Sequence, residues 1–450
     1  MKSGSAFRAE RALATLCICL CSCGASFDLS DEALRDPEAC KSCHPQHFEQ
    51  WSGSMHAYAS TDPVFLAMNA RGQRETNGAL GDFCVRCHAP MALRGGASSD
   101  GLDLPSLPAS QQGVTCYFCH QVSAVAGSHN NPLALARDRH MRGGIEDPIA
   151  TNAHGTAYST LHAGAGLDSS RLCGSCHDVV TPAGVFLERT FAEWKRSNFS
   201  REQVVSQLTC SECHMPTRAA EPDRGNISDR DLHDHGMPGL DVALTDFPRR
   251  DAQRAAIERS LATVLVSQLC VSPTQSGSTK IVVTLENIGA GHSFPSGAAH
   301  DRRVWVEVKA YAGDKLVFET GAVGDSEAVA AKRASDTDLW TFGDRVFDDA
   351  GKPVHMFWDV RRVQSALLQA PSAGINSQLL HYGRTFEIPE TPTRVTVRVR
   401  VRPIGLDIID DLIDSGDLDK ALRALIPTFT LRSTEIEWRD TSTRLCAPSA

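Results

Sequence analysis

The chain has 450 residues, a formal net charge of −9, and 42% hydrophobic but only 6% aromatic residues, as in a soluble globular protein of two or three domains. With a net acidic balance and no long Lys/Arg run, it lacks the electrostatic footprint of a nucleic-acid-binding protein, and no nucleic-acid partner is expected. Sixteen cysteines are far above ordinary usage, so their spacing decides the class.

Residues 1–22 read as a secretory signal. Lys2, Arg8 and Arg11 form a positive n-region, and the apolar run from Ala12 to Leu20 is too short to span a bilayer. Four cysteines lie here, Cys17, Cys19, Cys21 and Cys23. Leu20-Cys21-Ser22-Cys23 resembles a bacterial lipobox, which makes Cys23 the expected lipidated N-terminus and attaches the product to a membrane by a lipid anchor. Ordinary signal cleavage is the alternative. Residues 23–39 then form a tether.

Ten further cysteines form five pairs, each separated by two residues and followed at once by histidine: Cys40/Cys43/His44, Cys84/Cys87/His88, Cys116/Cys119/His120, Cys173/Cys176/His177 and Cys210/Cys213/His214. Two thiols three positions apart reach both vinyl groups of one haem, and the adjoining histidine falls under the ring to ligate iron. Zinc knuckles would need the pairs to combine two by two, which an odd number cannot do, and disulfides would not demand a histidine after every second cysteine. Five covalently attached haem c groups are therefore expected. Residues 40–268 form this pentahaem region, rich in Gly, Ser, Pro and Asn, with the porphyrins serving as core. Phe48-x-x-Trp51-x-x-Ser54 after the first site and Phe191-x-x-Trp194-x-x-Ser197 before the fifth hint at a repeated unit.

Seventeen histidines exceed the demand of the five irons. The expected distal ligands are His56, His154, His162, His235 and His292, with His140 in reserve; His47, His129, His233, His300, His355 and His381 are weaker. His292 stands in a glycine-flanked loop, Gly291-His292-Ser-Phe-Pro-Ser-Gly297, which lets backbone approach a planar ligand closely. Met91 and Met215 sit too near proximal histidines to reach the opposite ring face, so they are read as packing. Bis-histidine ligation keeps haem potentials low.

Apolar residues at helical spacing predict a helix over Asp251–Leu269 joining the pentahaem region to the C-terminal part. Beyond it, 280–286, 303–309, 315–319 and 394–402 alternate apolar and polar residues, the pattern of half-buried strands. Arg394, Arg398, Arg400 and Arg402 read as the solvated face of one strand. Leu406–Leu425 reads as helical, and Leu431–Arg439 returns to strand. Cys270 and Cys446, near the two ends, are expected to close this part with a disulfide. The predicted fold class is α + β in two domains: a sparse helical multihaem cytochrome c domain, then an immunoglobulin-like β-sandwich over 269–450 with a helical insertion near 406–425.

Cys40-x-x-Cys43-His44 with Trp51-x-x-Ser54-x-His56-Ala57 resembles the opening of the exported multihaem cytochromes c that include hydroxylamine oxidoreductase and its tetrahaem electron-accepting partner. Leu172–Asp178, Leu187–Trp194 and Cys210–Pro216 are similar to a less characterised branch that carries a loop like 291–297 before a C-terminal β-domain. The resemblance implies that a histidine at the place of His56 ligates a haem other than its neighbour, and that closely packed haem pairs exchange electrons. Hydroxylamine oxidoreductase has more haem sites and a tyrosine cross-link that has no evident match among the five tyrosines here, so its catalytic chemistry does not transfer. No CxxCK site is found either.

The leading expectation is electron transfer to or from redox partner proteins, in the periplasm or at the outer membrane or cell surface of a bacterium. The alternative is an oxidoreductase of small nitrogen or sulfur compounds working at a haem with an open distal site. A third expectation makes the chain part of an oligomer or conduit complex, with a histidine ligating iron across subunits.

Overall fold

The computed structural model describes residues 29–149, 151–202, 205–219, 231–372 and 380–440. The expected leader, the expected lipidation site Cys23 and the expected disulfide partner Cys446 lie outside them. The chain is mixed α + β, with a sheet-rich C-terminal part. No helix among the described residues is long and apolar enough to cross a membrane.

Before residue 250 the elements are short. Among the described residues the longest helix here is Pro63–Glu75, and the strands form two-stranded ribbons: Val122–Val125 with Leu133–Leu135, His140–Gly143 with Gly155–Tyr158, Asp178–Val180 with Phe186–Arg189, and Thr217–Ala219 with Asp231–His233. Elements of this length bury little apolar surface. The clusters here are small: Leu34, Met91, Tyr117, Phe118, Val122, Leu133 and Leu161 form one, and Val85, Ala89, Ala92 and Leu104 another.

The repeated unit has a structural counterpart. Trp51 Nε1–H donates to the Val114 carbonyl at 2.8 Å, and Trp194 Nε1–H to the Leu208 carbonyl at 2.9 Å. Each acceptor lies two residues before the first cysteine of a CxxCH turn. Ser54 and Ser197 close their helices alike, each Oγ–H donating to the tryptophan carbonyl at 2.7 Å. In both copies a threonine, Thr115 or Thr209, caps the CxxCH helix.

The helix Arg250–Leu261 is shorter than expected. Leu265 to Leu269 belong to the sheet-rich part instead, because β1 (Leu265–Pro273) pairs antiparallel with β2 (Thr279–Asn287) along its whole length. The further strands are β3 (Arg303–Ala312), β4 (Lys315–Thr320), β5 (Trp340–Phe347), β6 (Arg362–Ala366), β7 (Tyr382–Ile388), β8 (Arg394–Arg402) and β9 (Phe429–Arg439). One sheet has the order β7-β2-β1; the other runs β6-β5-β3-β8-β9, with β4 also on β3. The period-two pattern sends Ile281, Val283 and Leu285 of the first sheet and Val304, Val306, Val308, Val395, Val397, Val399 and Val401 of the second into one core. The β3/β8 register places Val304 opposite Val401, Val306 opposite Val399 and Val308 opposite Val397. Such aliphatic cross-strand pairs are the unit of sheet stability.

Of the β8 arginines, Arg394 and Arg398 keep partly exposed side chains, but Arg400 and Arg402 are not a solvated face. Arg402 is fully buried and donates to the carbonyls of Glu327, Gly324 and Asp325 and to Thr428 Oγ1. Arg400 donates to the Val323 carbonyl and Asp325, and Arg398 pairs with Glu307. A segment around 323–329 covers this side of the sheet, and nothing in the strand's own pattern signals it.

The helical insertion divides into Leu406–Asp414 and a 3-10 turn, Lys420–Leu425. Its first helix joins the Pro63–Glu75 helix through Ala67, Leu80, Trp358, Leu406 and Ile409. Arg71 pairs with Asp411 at 3.0 Å and Arg74 with Asp417 at 2.5 Å. The β-rich part is thus fastened to the cysteine-rich part by an apolar contact with an ionic rim.

Candidate haem-binding sites

Each CxxCH segment folds as one helical turn. The amide of His44 donates to the Cys40 carbonyl at 2.8 Å, that of His88 to Cys84 at 3.1 Å and that of His177 to Cys173 at 3.1 Å, while Cys116–His120 and Cys210–His214 are short helices. Residues i, i+3 and i+4 share one face of a helix, so both thiols and the imidazole project the same way. All ten thiols are free. Among the described residues no three His, Cys, Asp or Glu side chains converge as a metal cluster. Burial pushes the Cys84 thiol up to about 12 and that of Cys119 to about 11, which keeps both protonated.

Thiols of different motifs touch: Cys40 meets Cys116, Cys173 meets Cys210, and Cys176 meets Cys87. Each sulfur marks the edge of the porphyrin it would carry. The first and third sites therefore adjoin, as do the second and fourth, and the fourth and fifth.

The imidazoles test whether iron porphyrin fits. Two rings bound end-on to one iron stand roughly 6.2 Å apart, from two bonds of about 2.0 Å and about 1.1 Å of ring on each side. The centroid spacing is 6.3 Å for His44 and His154, 6.2 Å for His177 and His56, 6.4 Å for His120 and His235, and 6.5 Å for His214 and His292. Ring planes turn freely about the N–Fe–N axis, so the interplanar angles, from 8° to 75°, are all admissible. Four proximal histidines thus have a partner at ligand spacing, and His44 has a second ring, His47, at 6.1 Å.

The tautomers agree. Nδ1–H donates to a backbone carbonyl in His88 (Ala59, 3.0 Å), His120 (Arg142, 2.5 Å), His154 (Gly155, 2.9 Å), His214 (Pro238, 2.8 Å), His235 (His233, 2.8 Å) and His292 (Ser293, 2.8 Å). Such a bond leaves the Nε2 lone pair for metal. Burial pushes His56, His177 and His292 down to about 4 and His235 down to about 3. All four are neutral at physiological pH, the form that binds iron. The residues present fit the group.

His162 stands apart. Its ring lies 5.7 Å from His120, but its Nε2–H donates to the Cys119 carbonyl at 2.9 Å, and its buried Nδ1 has no partner. It offers iron Nδ1 or nothing. The reserve residue His140 is half exposed beside Asp138. His47 and His233, rated weaker, crowd the same region: His47 lies 4.7 Å from His235, and His233 Nδ1–H donates to the Met215 carbonyl at 2.9 Å. His88 differs from the other four proximal residues. Among the described residues no histidine ring is found at ligand spacing from it, and its ring stacks on Phe65 at 4.0 Å and 5°. Sequence reasoning missed Phe65; only its place in the Pro63–Glu75 helix, ahead of the second motif, hinted at it.

Cys270 is disulfide-bonded; its expected partner lies outside the described residues.

These segments carry the cysteine pairs and histidines that covalent attachment of haem c requires. A family model described as cytochrome c554 and c-prime matches residues 39–121, the segment with the first three CxxCH sites. The match supports covalently bound haem c and a role in electron transfer. No curated protein and no solved structure matches the chain.

Proposed function

We propose that this chain is an exported pentahaem cytochrome c that relays electrons between redox partner proteins through closely packed, mostly bis-histidine haems. The observation that carries the reading is the set of four histidine pairs spaced 6.2 to 6.5 Å apart. When bound, haem supplies the one-electron chemistry; the chain sets axial ligation, spacing and exposure. His56 pairs with His177 rather than with its neighbour in sequence, which supports the likeness to the hydroxylamine oxidoreductase group. The contacts between thiols of different motifs support a chain of porphyrins close enough for rapid transfer. The strand orders β7-β2-β1 and β9-β8-β3 support an immunoglobulin-like sandwich, the A-B-E and G-F-C arrangement. In this reading the sandwich supplies His292 and holds the fifth haem from the far side. Export through the leader, lipidation at Cys23, a Cys270–Cys446 disulfide, a periplasmic or surface location and assembly into a conduit complete the proposal.

The test is a haem count by pyridine haemochrome with a reductive titration of the exported protein. Five haems that all titrate reversibly support the relay, and fewer than five defeat the pentahaem reading.

One observation favours a second reading at the Cys84/Cys87/His88 site. With no histidine among the described residues at ligand spacing from His88, that iron would keep a coordination position for a small nitrogen or sulfur compound. Carbon monoxide binding to one haem in the reduced protein, with turnover of such a compound, would move the assignment to an oxidoreductase.

A further inference from the structure

The loop that carries His292 is gripped from two sides. On the sheet side, Asn287 Nδ2–H donates to the His292 carbonyl at 2.7 Å and to the Leu368 carbonyl at 2.9 Å. On the side of the CxxCH turns the grip comes from Thr190–Arg196, the helix between the fourth and fifth motifs. There Glu193 Oε2 accepts from the Ser293 N–H at 3.2 Å and from the Ser296 hydroxyl at 2.7 Å. One turn earlier, Thr190 Oγ1 accepts from the Gly297 N–H at 3.0 Å and donates to Ser296 Oγ at 2.8 Å.

Glu193 is only 9% exposed, and burial holds its carboxyl above the usual carboxylate range. A buried carboxylate costs desolvation unless hydrogen bonds offset it. Both bonds that Glu193 accepts come from the His292 loop and none from its own helix, so its effect falls on the loop. The Ser293 amide adjoins the ligand itself. Its carbonyl accepts from His292 Nδ1–H at 2.8 Å and so sets the ring orientation. The chain of contacts runs from a side chain on the cysteine-rich part, through the backbone of residue 293, to the imidazole facing His214 at 6.5 Å and 8°.

We propose that Glu193 is a positioning residue that holds the His292 imidazole on the axis of His214 and thereby keeps the haem at Cys210 and Cys213 six-coordinate and low-spin. This rests on the reading of His214 and His292 as one ligand pair, and it gives the helix before the fifth motif a role in tuning that haem. Loss of the Glu193 bonds would free the Ser293 amide and leave Thr190 as the remaining hold from this helix, at the far end of the loop, so that the iron samples a five-coordinate state.

The test uses the full-length, haem-loaded protein in four variants: Glu193→Ala, Glu193→Gln, Ser296→Ala and, as reference, His292→Ala. Electron paramagnetic resonance gives the high-spin fraction, and a potentiometric titration gives the potential of the affected haem. His292→Ala is expected to convert one further haem in five to high-spin. Glu193→Ala is expected to convert part of that same fifth and to shift its potential. Glu193→Gln keeps an acceptor oxygen in place and is expected to match wild type, a rescue that a purely structural role for the charge would not produce. Should Glu193→Ala fail to load haem, Ser296→Ala decides: a displaced low-spin signal supports the proposal, and an unaltered one overturns it. If His292→Ala changes the spectrum while Glu193→Ala and Ser296→Ala leave it as in wild type, the positioning role is overturned and the ligand pair stands. If His292→Ala itself changes nothing, the ligand pair fails and the proposal with it.

Discussion

Gly174 sits between the cysteines of the fourth motif and packs directly under the ring of Phe191. A Cβ placed there would fall 2.5 and 2.6 Å from Cδ2 and Cδ1 of Phe191, and nearer still to Cγ. Phe191 has little room to retreat: it is 8% exposed, stacks on Trp194 at 5.7 Å and lies under Lys195 Nζ. In Gly174→Ala two effects compete. Alanine in a helical turn gains about 1 kcal/mol over glycine, while forcing an extra carbon into a close-packed site costs about 1 to 3 kcal/mol. Contacts this far inside van der Waals range put the cost at the upper end, so the net loss is about 2 kcal/mol, several degrees in thermal midpoint. The strain falls on the turn that holds Cys173, Cys176 and His177, so the low-spin signal of the His56/His177 pair should broaden or shift as well. The assay is thermal unfolding followed by the Soret band, with electron paramagnetic resonance of the folded protein. Phe191→Leu in the Gly174→Ala background should recover part of the loss. The first copy of the repeat shows the alternative solution. Lys41 occupies the corresponding position, and its Nζ lies over Phe48 at 5.0 Å. A Gly174→Ala protein with an unchanged midpoint and unchanged spectrum would refute this account of the packing.

Asp62 caps the Pro63–Glu75 helix, its Oδ1 accepting from the Val64 N–H at 3.0 Å, and burial raises its carboxyl to about 6. Between the unfolded value near 4 and this value the native state holds a proton that the unfolded chain has lost, so this group's contribution to stability falls as pH rises through that window. Asp62→Asn keeps a good cap and removes the titration. The midpoint difference between variant and wild type should grow in the variant's favour from about pH 4 to pH 6 and then level off, and a flat difference would contradict the assignment. Arg402→Lys replaces a planar fork by a point charge that cannot span the carbonyls of Gly324, Asp325 and Glu327. A loss of about 2 to 3 kcal/mol in denaturant unfolding is expected, and a change below about 0.5 kcal/mol would show that the guanidinium does not pin this segment.

The CxxCH turns were legible because two cysteines three positions apart and the adjoining histidine fall within a single helical turn. Strands such as β2, β3 and β8 were legible because a sheet with one buried face imposes a period of two. The pairing of histidine rings was not, since His56 beside His177 and His214 beside His292 are set by tertiary folding, and local sequence carries no record of it. The tautomer that separates His162 from His235 depends on which carbonyl lies nearby, again a product of the fold. Arg402 misled because alternation along a strand cannot show that a loop covers its polar face. The helix predicted through Leu269 ended early because the run from Val264 through Val266 satisfies a sheet edge as well as a helical stripe, and β2 was there to take it.

A spin-state census of the fully loaded protein, with haem counted on the same sample, decides between a pentahaem relay and its alternatives. A relay of this kind is expected to hold five haems per chain, four of them low-spin with bis-histidine signals, and a distinct fifth at the Cys84/Cys87/His88 site. Fewer than five haems, or high-spin iron at several sites, would contradict it.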